Sequence, residues 1–163
     1  MKLQKQLIKH DPENGQFGDC FRTCVAVIMG MDASDVPHFC DYIEARPKDH
    51  PENRHNRLSR WLAQFGLAPS FVAYVGDVYD LEDAMYYTSG QSPGVPMILT
   101  GQSETGCNHS VVILDQKIVC DPAGTSIVGP MLENIWEVVT ISVSAKWTNW
   151  RGEHKPTDTS HDA

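Results

Sequence analysis

Two β-rich runs joined by a two-residue turn constrain the fold of this chain most strongly. The runs span residues 109–114 and 117–121, and an Asp-Gln pair separates them. This spacing predicts an antiparallel β-hairpin, although the turn lacks the glycine that such turns prefer. In a hairpin with a short turn, the start of the first strand lies opposite the end of the second. The pattern therefore predicts that His109 and Asp121 are neighbours.

Upstream of this hairpin, apolar residues recur at helical spacing. The first such segment starts at Cys20 and stops at Gly30, with Asp19 as the expected N-cap. Further helices are predicted at 58–65 and 81–87, single helical turns near residues 34–37 and 130–136, and strands at 1–9, 70–75, 95–99 and 138–143. Because the helices come first and do not alternate regularly with strands, the order predicts an α+β fold.

Length and charge narrow the possible partners. The 163 residues are enough for one domain, predicted to span 1–149, and the polar composition of 150–163 predicts a disordered tail. The net charge is −8 and the basic residues are scattered, which disfavours nucleic acid and anionic membranes as partners. No export signal is recognisable, and five cysteines, an odd number, fit a reducing compartment. We therefore expect a cytoplasmic protein.

Cys20 is the most informative cysteine because it lies at the start of the first predicted helix. Unpaired N–H groups at a helix N-terminus carry partial positive charge and favour a thiolate. A lone cysteine on a helix is more often a packing residue, but a glutamine four positions earlier and an intervening glycine favour a functional interpretation. Cys24, one turn further along the same helix, is interpreted as a packing residue.

Thiol-dependent acyl chemistry needs a nucleophile, a base, a group that orients the base, and donors to the oxyanion. The sequence supplies Cys20 as the nucleophile, His109 as general base and acid, and Asp121 as the orienting carboxylate. Gln16 is the candidate side-chain donor to the oxyanion. Because this chemistry uses side chains alone, no cofactor or metal is predicted.

The same residues resemble a known family, the papain-like cysteine peptidases, and within it the bacterial double-glycine-leader peptidases that process bacteriocins. The resemblance covers roughly residues 14–128 and rests on the motifs Gln16-x-Gly18-x-Cys20, Asn108-His109-Ser-Val-Val-Ile and Val119-x-Asp121-Pro122-x-Gly124. It implies a papain-like fold, in which a nucleophile helix packs on an antiparallel sheet that carries the histidine and the aspartate. It also implies a protein or peptide substrate and a bacterial or bacteriophage origin.

The sequence alone leaves several alternatives open. The same three residues serve hydrolysis of a peptide, isopeptide or other amide, acyl transfer, and side-chain deamidation. A binding or inhibitory module that keeps the scaffold without turnover is also compatible with the sequence. Cys107 is an alternative thiol near His109. A zinc site is a weaker alternative, built on Cys20 and Cys24 with partners among His38, Cys40, His50, His55 and Cys107.

Overall fold

The computed structural model describes residues 1–41 and 50–144, and all structural statements refer to these residues. Its helices are α1 (Cys20–Met29), α2 (Arg54–Ala63) and α3 (Leu81–Gln91). Its strands are β1 (Leu67–Val75), β2 (Met97–Ser103), β3 (Asn108–Leu114), β4 (Lys117–Cys120), β5 (Ile127–Gly129) and β6 (Ile135–Val143). Helices combined with an antiparallel sheet confirm the predicted α+β class.

The sheet has apolar side chains on both faces. Its strand order is β1-β6-β2-β3-β4, and the short β5 pairs with β2. Because side chains alternate along a strand, neighbouring residues enter different cores. One core contains residues of α1 and α2 together with the strand residues Ile98, Val112 and Val139. The other contains residues of α3 together with their neighbours Leu99, Val111 and Val138. The sheet is therefore the middle of three layers.

Helix α1 lies against the strand that carries His109. Its apolar residues are buried as the helical spacing predicts, and Gly30 ends it with φ 69°, a left-handed conformation that favours glycine. The thiol of Cys24 donates to the carbonyl oxygen of Ser110 at 3.3 Å, which joins the helix to β3. Cys24 therefore packs in the interior, as the sequence predicts.

The predicted hairpin is present as β3 and β4. Asp115 and Gln116 at its turn have φ values of 46° and 64°, the left-handed pair that a type I′ turn needs. Neighbouring segments hold this conformation without a glycine: the Asp115 carboxylate accepts the Gly94 N–H at 2.8 Å, and the Ser89 hydroxyl accepts the Gln116 N–H at 2.9 Å. Tertiary contacts thus replace the local turn signal.

Several local predictions are wrong. Residues 1–9 do not form a strand, because the Asp19 carboxylate and the Pro122 carbonyl accept N–H groups from this segment in place of a neighbouring strand. Residues 130–134 form no helical turn, and β6 begins earlier than predicted, at Ile135. Helix α3 continues past Tyr87 to Gln91, and the three-residue β5 was not predicted.

Two other expectations concern the C-terminal tail and membrane-spanning helices. The predicted disordered tail at 150–163 lies outside the described residues. Within the described ranges, none of the helices has the length and apolar character that crossing a lipid bilayer requires.

Candidate active site

Cys20 is the first residue of α1 and is half-buried. The preceding Asp19 occupies the N-cap position, but its side chain makes no capping hydrogen bond to the helix. This differs from the sequence prediction. The carboxylate instead accepts N–H groups of the N-terminal segment and pairs with Arg22, so it leaves the first backbone N–H groups of the helix without a side-chain cap.

His109 and Asp121 are hydrogen-bonded neighbours, as the hairpin pattern predicts. His109 Nε2 lies 2.8 Å from Asp121 Oδ1, and His109 is only 4% exposed. The same oxygen accepts the N–H groups of Ala123 at 3.1 Å and Gly124 at 2.8 Å, which fixes the carboxylate. Because an ionised carboxylate only accepts, Nε2 carries the proton in this bond. Nδ1 is then the ring nitrogen available to Cys20.

The electrostatics of His109 connect it to both partners. Burial alone would lower the pKa of the imidazole. Two partners outweigh burial and raise the pKa above 6.5: Cys20 contributes most, through its hydrogen bond and its charge, and Asp121 contributes next in the same two ways. The imidazolium form of His109 is therefore favoured beside Cys20 and Asp121. This is the charge state that an activated thiol requires.

The environments of the other cysteines differ from that of Cys20. Complete burial raises the pKa of Cys24 well above 9.0, and burial raises that of Cys40 to about 11. Both thiols therefore stay protonated near neutral pH. Cys120 is buried and donates to the Gln4 carbonyl at 3.6 Å. Cys107 is half-buried in the loop before β3.

A cavity of about 250 Å³ opens beside the candidate nucleophile. Cys20 and His109 both line it, together with Gly18 and Asn108 from the motifs that carry the resemblance. Cys107 lines it as well, so the cavity contains the alternative thiol that the sequence analysis retained. A substrate carbonyl placed in this cavity would meet both the thiol and the imidazole.

The predicted oxyanion donor Gln16 is placed elsewhere. Its side-chain amide donates to the Lys9 carbonyl at 2.8 Å, and Gln16 is not among the residues that line the cavity. Gln6 does line it, and its backbone N–H donates to the Pro122 carbonyl at 3.0 Å, next to Asp121. Gln6 is thus a candidate that sequence reasoning missed, since no local motif links it to Cys20.

Asp19 fixes the segment that carries Gln6. It is 0% exposed, and its carboxylate accepts the N–H groups of Ile8 at 2.9 Å and Leu7 at 3.3 Å. Arg22 completes this group, with its Nε donating to the same carboxylate at 3.0 Å. A buried carboxylate with these partners ties Leu7 and Ile8, the residues after Gln6, to the start of α1.

A second buried polar cluster lies outside the cavity lining. Glu137 on β6 is 5% exposed; it pairs with Arg54, and its Oε2 lies 2.8 Å from His55 Nε2. Burial alone would raise the pKa of Glu137, but the His55 hydrogen bond and the Arg54 charge lower it below 4.5. Arg54 also lies over the Phe21 ring, 4.7 Å from its centroid, so the cluster fastens α2 to the sheet and to α1.

Metal binding finds no support in the geometry of the described chain. Across 1–41 and 50–144, no three His, Cys, Asp or Glu side chains are grouped so that they could hold an ion. The described residues therefore offer no set of ligands for the alternative zinc site.

Comparisons with known proteins give no match. No protein-family model matches the chain, and the searches of curated proteins and of solved structures find no significant similarity. The resemblance seen in the sequence motifs therefore stays an interpretation, and the function of the chain has to be argued from the geometry of the site.

Proposed function

We propose that this chain is a thiol hydrolase with a papain-like fold, which cleaves a peptide or other amide bond through an acyl-enzyme on Cys20. The observation that carries the proposal is the position of His109, hydrogen-bonded to Asp121 and raised in pKa by Cys20 beside a solvent-accessible cavity. The proposal is supported by the arrangement of the three residues, since Cys20 and His109 line one cavity and Asp121 bonds His109.

Acylation follows from the protonation states of the pair. The Cys20 thiolate attacks the substrate carbonyl carbon, and a C–S bond forms as the carbonyl electrons move onto oxygen. The Gln6 amide is our candidate donor to this oxyanion, together with the backbone N–H at the start of α1. His109 Nδ1 then gives its proton to the leaving nitrogen as the C–N bond breaks, which releases the amine and leaves a thioester.

Deacylation returns the site to its starting state. A water molecule gives a proton to neutral His109 as its oxygen attacks the thioester carbonyl. The C–S bond breaks, the carboxylic acid product leaves, and the thiolate and imidazolium form again. Throughout both steps, Asp121 holds the ring by Nε2 and stabilises its positive form.

Selective alkylation tests the nucleophile. Iodoacetamide at neutral pH, followed by peptide mapping, should label Cys20 well before the other four cysteines, because burial keeps Cys24 and Cys40 protonated. The matched control is Cys107→Ser, which removes the other thiol of the cavity and should leave the Cys20 rate unchanged. Five thiols reacting at similar slow rates would refute the proposal.

Acyl transfer to the thiol tests the reaction itself. The folded protein treated with p-nitrophenyl acetate should show a burst of nitrophenol and gain one acetyl group on Cys20, detected by mass spectrometry. Cys20→Ala should abolish the burst, whereas Cys24→Ala should retain it. A Gln6→Ala variant should slow acylation by about 100-fold if its amide serves the oxyanion, while Gln16→Ala should have little effect. If Gln16→Ala slowed acylation more than Gln6→Ala, Gln16 and not Gln6 would be the oxyanion donor.

A further inference from the structure

The cavity beside Cys20 has an unusual lining for a peptide site. None of the described residues that line it is Leu, Ile, Val, Met, Phe, Tyr or Trp. The side chains without hydrogen-bonding groups are only Gly18 and Ala123, and hydroxyl groups come from Ser103, Thr105 and Thr125. Its volume of about 250 Å³ is small compared with typical ligand sites. Such a lining fits small residues and offers no pocket for a large apolar side chain.

The charges around the cavity are also one-sided. Lys9 lines it, whereas none of its described lining residues carries a carboxylate. Asp121 is not among the lining residues, and one of its oxygens accepts three hydrogen bonds. Lys5 adds a further cation nearby: its Nζ would lie 3.4 Å from a Cβ built on Gly124, which follows the lining residue Ala123.

The N-terminal segment supplies this charge. Residues 1–10 contain three lysines and no carboxylate, in a chain whose net charge is −8. Lys2 pairs with Asp32, so the contribution of this segment comes from Lys5 and Lys9. Asp19 and Pro122 hold this segment against the site through the N–H groups of residues 6–8. The two carboxylates next to the site are each bonded to donors of the protein: Asp19 to Arg22 and two backbone N–H groups, and Asp121 to His109 and two backbone N–H groups. Charges further than about 8 Å away are screened at physiological ionic strength.

We propose that the site takes an anionic acyl substrate, one that carries a carboxylate held by Lys9 and its neighbours. This inference rests on the proposed function, because it concerns the substrate of the same thiol. The shared chemistry is a carboxylate, which either an acidic side chain or a free chain terminus supplies. Uncharged small-residue peptides bind more weakly, and basic peptides bind least.

Two alkylating reagents of similar size test this charge without a known substrate. Iodoacetate is anionic and iodoacetamide is neutral, so the ratio of their rates at Cys20 measures the local potential. The imidazolium of His109 contributes to this ratio equally in all variants. Lys9→Gln should lower the ratio about two- to five-fold at low ionic strength, with a further drop on adding Lys5→Gln. Lys117→Gln is the matched control on the distant β3–β4 turn and should not change it.

Protection experiments then separate the two sources of the carboxylate. Acetyl-Gly-Gly-Glu-Gly-amide and its Gln counterpart compete with iodoacetamide for the site, as do Gly-Gly-Gly with a free and with an amidated C-terminus. We expect the Glu peptide or the free acid to protect Cys20 at lower concentration than its neutral partner, and Lys9→Gln to remove that advantage. Stronger protection by the Glu peptide than by the Gln peptide identifies an acidic side chain as the source of the carboxylate. Stronger protection by the free acid than by the amide identifies a chain terminus.

The outcomes keep the two proposals apart. If Cys20 reacts slowly with both reagents in the folded protein, the proposed function fails and this inference fails with it. If Cys20 reacts rapidly but the ratio is the same in the parent, Lys9→Gln and Lys117→Gln proteins, only the anionic substrate is refuted. Circular dichroism and thermal unfolding confirm that each variant is folded.

Discussion

Replacing Asp121 with Asn changes the charge of the site with little change in shape. Asp121 Oδ1 accepts from His109 Nε2 at 2.8 Å and from the N–H groups of Ala123 and Gly124. An asparagine oxygen can accept the same three bonds, so the loop after β4 keeps its anchors. What disappears is the negative charge that helps to raise the pKa of His109.

The size of the effect can be worked out from this geometry. A single opposite charge at hydrogen-bond distance typically changes a pKa by about 1–3 units. The Asp121 side chain is 27% exposed, which screens the interaction, so the pKa of His109 should fall by less than the loss of a fully buried partner would cause. A lower pKa of His109 shifts the equilibrium from the thiolate–imidazolium pair towards the neutral pair. Alkylation of Cys20 near neutral pH should therefore slow by roughly 10-fold in Asp121→Asn.

Two measurements check this expectation. NMR titration of the His109 ring should give a lower pKa in the variant, and iodoacetamide rates at Cys20 should fall over the same pH range. Asp115→Asn is the matched control, since it removes one carboxylate at the far end of the hairpin and should leave both values unchanged. A folded Asp121→Asn protein with the parent rate and the parent His109 pKa would refute the argument that Asp121 stabilises the imidazolium.

Three further predictions concern stability. Glu137→Gln should lower the free energy of unfolding at pH 7 by about 3 kcal/mol. Because folding lowers the pKa of Glu137, the difference in stability between parent and variant should shrink below pH 4.5. Urea titrations at several pH values measure this difference. Gly101→Ala should destabilise the protein by about 1–3 kcal/mol, since the new Cβ would lie 2.6 Å from a tryptophan ring and 2.7 Å from a backbone oxygen. Gly90→Ala is the matched control in α3, where the space around the glycine is open, and it should stabilise the protein. Thermal melts measure both variants. Asp19→Ala, which removes both acceptor oxygens, should speed amide hydrogen exchange at Ile8 and Leu7. Unchanged exchange at both positions would contradict the anchoring role.

The adjacency of His109 and Asp121 was predictable because it depends on local geometry. Two strands and a two-residue turn leave few registers, and the antiparallel pairing brings one end of each strand together. The start of α1 at Cys20 was predictable for the same reason, since the apolar spacing and Gly30 mark both ends of the helix. What these positions do chemically stays a proposal.

The oxyanion candidate shows where sequence reasoning fails. Gln16 is close to Cys20 in the chain and forms part of a motif, yet its amide bonds to Lys9. Gln6 reaches the cavity because Asp19 and Pro122 hold the N-terminal segment in place. That arrangement depends on where a buried carboxylate finds its donors, which no local pattern encodes.

By itself, the sequence determined the elements whose signals are local: the α+β class, the helix that begins at Cys20 and the hairpin that pairs His109 with Asp121. Only the tertiary structure decided which other groups surround them. It gave the Asp19 carboxylate partners other than a helix cap, placed Gln6 and Lys9 on the wall of the cavity, and left Gln16 outside. The physical reason is that periodicity and turn geometry act within a few residues, whereas buried polar groups take their partners from anywhere in the chain.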